Sequence, residues 1–180
     1  IHSGDIFGDK NILKKVNRIF KKKLDILSGN IQFYKEEEQK IVRDWTIKLN
    51  KFNNINFFKV PHTSLFIKKN LFNKIKNYST NYKISSDLDF LIKLSKLRSN
   101  FYYFNQNIIY MKTGGLSTSV NKIILRYKED IKILYKHFGL LFLFMFILKI
   151  LNKVKGLLKL NNFNNKKLRK QLNSINQKKS

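Results

Sequence analysis

Leu24-Asp25-Ile26-Leu27-Ser28-Gly29-Asn30-Ile31-Gln32-Phe33-Tyr34 is the stretch around which the rest of the chain falls into order. Its β-branched and aromatic residues predict a strand, with a bulge at Gly29. Immediately before it, Ile12, Leu13, Val16, Ile19 and Phe20 recur at helical spacing, which predicts a helix within residues 11–23. After it, residues 35–56 are polar and charged, with the run Glu36-Glu37-Glu38, and read as a variable excursion. Residues 57–60 read as a short extended segment, with Val60 held out of helical geometry by Pro61, the sole proline. Residues 64–67 are expected to be extended and residues 70–75 a short helix.

Ser85 or Ser86 is expected to cap a helix running to about Leu97, with a box-like spacing from Ser86 to Asp89. Residues 101–104 and 107–111 read as two strands, followed by a turn at Gly114-Gly115. From about residue 120 to 160 the pattern is helical, broken near Gly139. The tail from residue 161 is rich in Asn, Lys and Gln and is expected to fray. Strands and helices in this mixture predict an α/β fold with long helices at its end.

Composition narrows the functional classes. Hydrophobic residues make up 43% of the 180, enough to argue against wholesale disorder. There are no cysteines, which excludes disulfides and thiolate metal sites and fits a reducing cytoplasm. The formal charge is +26, from 37 Lys and Arg against 11 Asp and Glu. An anionic membrane face, nucleic acid or phosphate-bearing substrates would each answer such a balance. Most of the bases are Lys, whereas base readout favours Arg. Lys, Asn and Ile are also abundant throughout, as AT-rich coding sequence alone would produce. No charged n-region with an apolar h-region follows Ile1, so no signal peptide is expected there.

Four segments bear chemistry. Ile1-His2-Ser3-Gly4-Asp5 presents an acid after a small turn, either as an oxygen ligand for a hard cation or as an ordinary turn acid. Pro61-His62-Thr63-Ser64-Leu65-Phe66 offers His62 as a pocket-lining group or as a half-buried connection residue. Ser85-Ser86-Asp87-Leu88-Asp89-Phe90 pairs two acids in an acid-poor chain. Two residues apart on a helix they point to nearly opposite sides, so they cannot chelate one ion together. Asp87 is then either a general base facing a cleft or a complement to the positive helix end. Thr113-Gly114-Gly115-Leu116-Ser117 lets backbone approach a ligand, or is a plain turn.

The order of these segments resembles the second half of family 2 glycosyltransferases with the GT-A fold, of the bacterial surface-polysaccharide branch. The resemblance spans residues 1 to about 120. It implies an α/β, incomplete GT-A fold lacking its N-terminal half, followed by long C-terminal helices. By position, Asp5 matches the last acid of the family's metal-binding motif, which holds Mg²⁺ or Mn²⁺ on the donor diphosphate, and Gly4 stands where many members have a second acid. Asp87 matches the catalytic base, with Ser86 where many members have Glu. Ser3, Gly4, His62, Gly114 and Gly115 match substrate-binding positions, and Ser117 belongs to the same closing loop. The implied partners are a nucleotide-diphospho-sugar donor and a glycan or lipid-linked acceptor. The family's nucleotide-binding half would precede Ile1, so residues 1–180 alone are expected to be inactive.

The division that follows is an acceptor-side half over residues 1–120, amphipathic helices over 121–160 and a basic polar tail over 161–180. Residues 138–148 are almost wholly apolar but short of the roughly 20 residues that span a bilayer. The basic amphipathic pattern after them suits a helix at an anionic membrane surface, peripheral at the inner face of the cell membrane. The rival readings are a basic nucleic-acid-binding module, supported by charge alone, and a membrane-surface protein without catalysis.

Overall fold

The computed structural model describes residues 4–21, 23–75, 78–113, 120–158, 169–170 and 172–173. Along the chain run β1 (Ile6–Phe7), α1 (Ile12–Phe20), β2 (Ile26–Lys35), β3 (Lys40–Trp45), β4 (Leu65–Ile67), α2 (Lys69–Lys74), α3 (Ser86–Ser95), β5 (Phe101–Lys112), α4 (Val120–Phe138) and α5 (Phe142–Leu158). The strand predicted around Gly29 is β2, and it organises the sheet. It pairs in parallel with β5 on one side. On its other side it pairs antiparallel with β4 near its start and with β3 near its end. β1 closes the far edge by pairing antiparallel with β5. The fold is thus mixed α/β with a mixed sheet and helices at the end.

Successive strand residues point to opposite faces, and β2 uses both. Ile26 joins a core made with α3, α4 and α5, including Leu88, Phe90, Ile133, Leu134 and Met145. Leu27 joins a second core under α1, with Ile12, Val16 and Ile109. A sheet covered on both faces explains why β2 carries almost no charge before Lys35.

The irregularity expected at Gly29 is present, with the surplus residues on the partner strand. Gly29 pairs with Phe104, Asn30 with Asn107 and Ile31 with Ile109. The two strands expected at 101–104 and 107–111 are therefore one strand, β5, that bulges midway. Gly29 admits the bulge because a Cβ there would lie 2.6 Å from Ile108 Cδ1 and 2.8 Å from the Phe104 carbonyl oxygen.

Three other expectations change. The polar excursion at 35–56 contains β3, a hairpin partner of β2 in which Ile41 is buried and the Arg43 guanidinium lies 5.0 Å over the Phe33 ring. Residues 57–59 form a 3₁₀ turn where an extended segment was expected. Phe57 and Phe58 are both buried, and a turn directs consecutive side chains inward where a strand would split them. Ser85 stands at the N-cap of α3, yet its side chain makes no capping bond, and the Ser86–Asp89 box does not form. Pro61 does leave Val60 extended, at φ −90° and ψ 117°. The helical break falls at Gly139, where φ is +56° and a short 3₁₀ turn, Gly139–Leu141, separates α4 from α5.

Candidate functional site

His62 is positioned by the residues after it. Ser64 is fully buried, and its hydroxyl donates to the Gly29 carbonyl at 2.7 Å while lying 3.0 Å from the Ser28 hydroxyl. The turn is thereby fastened to β2 at its bulge. Thr63 Oγ1 sits 3.4 Å from Met111 Sδ, which ties the same turn to β5.

Asp87 is positioned by an anchor on α4. The Glu129 carboxylate, on α4, accepts the backbone N–H groups of Lys83 at 2.8 Å, Ile84 at 3.0 Å and Ser85 at 2.8 Å. Three donors aimed at one carboxylate fix the approach to α3 from the residues that precede its first turn. Burial pushes the Glu129 carboxyl up, but the three N–H groups outweigh it and the net direction is down.

The two held segments meet. His62 Nδ1 lies 3.1 Å from Asp87 Oδ2, with both side chains about one-third exposed. Burial pushes the Asp87 carboxyl up. The hydrogen bond and charge of His62, the Leu88 N–H and the charge of Lys149 outweigh it, so its pKa falls below the ordinary aspartate value. Asp87 therefore stands ionised at neutral pH, at the surface, with a histidine to orient it. Asp89 goes elsewhere: it is fully buried, 2.7 Å from His137 Nε2 and 2.5 Å from Lys93 Nζ. Its carboxyl too is pushed up by burial and drawn down further by Lys93 and His137. The two acids of the Asp-x-Asp sequence thus serve separate partners, as helical geometry requires.

Beside His62 is a cavity of about 250 Å³ between β4, α2 and α3, lined also by Leu65, Ile67, Lys69, Phe72, Tyr78 and Phe90. Tyr78 stacks on Phe90, with ring centroids 4.3 Å apart and an interplanar angle of 10°. Burial raises the Tyr78 hydroxyl pKa, and the Asp87 charge raises it further, so the phenol end of this aromatic wall lies in the field of Asp87.

Asp5 sits just ahead of β1, beside the end of β5. Its Oδ1 accepts the Lys112 N–H at 3.4 Å, and the neighbouring Gly4 carbonyl accepts the Tyr34 hydroxyl at 2.7 Å. Lys112 also pairs with Glu36. Burial raises the Tyr34 phenol, with Glu36 and Asp5 adding to it. The end of β5 connects the two regions, since Met111 contacts Thr63 while Lys112 contacts Asp5. Asp5 does not line the cavity beside His62. Among the described residues no three His, Asp or Glu side chains cluster as a ready cation cage.

Ser3, Gly114, Gly115 and Ser117 lie outside the described residues. Of the remaining predicted positions, the fold brings His62 and Asp87 into contact and sets Gly4 and Asp5 at the β1–β5 edge. Sequence reasoning missed Glu129, Ser64 and Tyr78. Glu129 and Asp130 are the only acids in residues 120–158, among eight Lys and Arg, and that isolation was the available signal. Set against protein-family models, curated proteins and solved structures, the chain matches none.

Proposed function

We propose that this chain is the acceptor-side part of an inverting glycosyltransferase, passing a sugar from a nucleotide-diphospho-sugar to a glycan or lipid-linked acceptor. The observation that carries the reading is the His62–Asp87 contact beside an aromatic-walled cavity. In one displacement, the acceptor oxygen bonds to the anomeric carbon as the bond to the diphosphate breaks. The hydroxyl proton passes to Asp87 Oδ, and the nucleoside diphosphate leaves with the bonding electron pair. The lowered Asp87 pKa keeps the base ionised, and its proton affinity suffices because the hydroxyl becomes acidic as the new bond forms.

His62 positions that carboxylate. The exposed Tyr78 ring, backed by the buried Phe90 on which it stacks, offers a flat apolar face on which a pyranose ring can lie while its hydroxyls stay solvated. Asp5 would supply a carboxylate oxygen to a Mg²⁺ or Mn²⁺ ion on the donor diphosphate, where a divalent cation neutralises leaving-group charge. In support stand the resemblance in motif order, the mixed α/β fold and the meeting of His62 with Asp87.

The test is a transfer assay with nucleotide-diphospho-sugars, using the full-length protein whose reading frame contains residues 1–180. Asp87→Asn is expected to lower turnover by roughly 10²- to 10⁴-fold, the usual worth of a general base, with donor binding retained. Unchanged turnover in Asp87→Asn overturns the assignment.

A further inference from the structure

Helices α4 and α5 form a folded-back pair. Tyr127 packs edge-on against Phe146, Tyr135 against Phe142, and Lys149 pairs with Asp130. The turn between them is Gly139-Leu140-Leu141, and Gly139 takes the left-handed conformation that lets the chain reverse. Residues 122–154 are apolar enough in composition to cross a bilayer. The reversal at Gly139 means that they do not present one straight span. α5 alone has 17 residues, about 25 Å of helix, against the roughly 30 Å of a bilayer core.

The outward side of this hairpin is apolar. Leu140 is 89% exposed and Leu141 66%. On α5, Leu143, Phe144, Ile147, Ile150, Leu151 and Val154 are all exposed and recur every three to four residues, forming one stripe without a charge in it. α4 continues the surface with Ile124, Tyr127, Ile131 and Tyr135. A contiguous patch of this kind marks a docking surface.

Charge identifies the occupant. Residues 120–158 hold eight Lys and Arg and two acids. Both acids are buried and committed inward, Glu129 to the Lys83–Ser85 backbone and Asp130 to Lys149. Lys128, Lys132 and Lys136 are exposed and form a ridge at i, i+4 and i+8 beside the apolar stripe of α4. The outside of the hairpin is therefore apolar residues flanked by uncompensated lysines. That combination fits an anionic lipid surface, which offers acyl chains and phosphates together.

We propose that the α4–α5 hairpin inserts the Gly139–Leu141 turn and the outer face of α5 into one leaflet of an anionic bilayer without crossing it. The lysine ridge lies along the headgroups. This inference rests on the hairpin alone and holds or fails independently of the glycosyltransferase reading.

The experiment is flotation of the full-length protein with vesicles of phosphatidylcholine, alone or with roughly one-third phosphatidylglycerol. Wild type is expected to float with the anionic vesicles and much less with the neutral ones. Leu140→Ser with Phe144→Ser should weaken partitioning by at least about tenfold, because each exposed side chain loses its share of apolar burial. Both positions are exposed, so an unchanged thermal melt should show that the fold survives. Lys128→Gln with Lys132→Gln and Lys136→Gln should reduce binding to anionic vesicles only. Absence of wild-type flotation overturns the proposal, whether the patch is then found covered by another part of the polypeptide or by a second copy in sedimentation. Equal flotation of the Leu140→Ser, Phe144→Ser variant also overturns it.

Discussion

His62 Nδ1 stands 3.1 Å from Asp87 Oδ2, joining the turn after Pro61 to the first turn of α3. Neither residue would be placed without help. Ser64 fastens the first segment to β2, and Glu129 fastens the second to α4. The pair therefore reports on the integrity of both attachments.

This contact predicts a pH response. Asp87 has a lowered pKa, so its ionised form persists at neutral pH and is lost only as pH falls through that lowered value. The acid limb of the transfer rate should lie below the ordinary aspartate range. In His62→Gln the histidine's hydrogen bond and charge are gone, burial is less opposed, and the limb should move to higher pH. A pH–rate profile of the two proteins checks this, and an unmoved limb would show that His62 does not set the state of Asp87.

Glu129→Ala should destabilise the protein by about 2 kcal/mol, because three backbone N–H groups, that of Ser85 buried and the other two partly so, lose a charged acceptor. Glu129→Gln keeps one acceptor oxygen and should cost about 1–2 kcal/mol. The wild-type contribution is present above the ordinary value of 4.5 and is lost as pH falls through the lowered one. Urea melts across that acidic window should therefore slope more steeply for wild type than for Glu129→Gln.

Gly29→Ala should cost about 2 kcal/mol by overpacking, since its Cβ meets Ile108 Cδ1 and the Phe104 carbonyl. Ile108→Val removes the nearer atom and should recover part of the loss in the double variant. Equal losses in the single and double variants, read by denaturant melts, would locate the strain at the Phe104 backbone instead.

Tyr78→Ala should weaken binding of acceptor oligosaccharides by about 1 kcal/mol, whereas Tyr78→Phe keeps the stacked face and should bind nearly as wild type. Saturation-transfer NMR titrations distinguish the two. Loss in both variants would assign the contribution to the hydroxyl.

Periodicity made the elements with a single dominant pattern legible: α1, β2, the short helix after residue 68 and the break at Gly139. β3 was hidden because its hairpin turn carries Glu36-Glu37-Glu38, and only Ile41 on it is fully inward. β5 was read as two strands because its polar residues at the bulge, Asn105 and Gln106, interrupt the apolar pattern while the hydrogen-bonded ladder resumes beyond them. For the site, Asp87 and His62 stood out by rarity and position, but their contact did not, because it depends on two distant anchors. Glu129 stood out only by its isolation, with Asp130, among the bases of residues 120–158, and its partners did not. A helix-interior glutamate ordinarily faces water, and nothing nearby announces that its partners lie 44 to 46 residues earlier.

Those 44 residues have a consequence for synthesis. A ribosome releases Lys83, Ile84 and Ser85 well before Glu129, so the entry to α3 leaves the exit tunnel with its amide groups lacking their eventual acceptor. The Asp87 carboxylate can settle beside His62 only after α4 has emerged and docked. Any truncation that stops short of α4 should leave a chain whose sheet can assemble while its base remains unplaced.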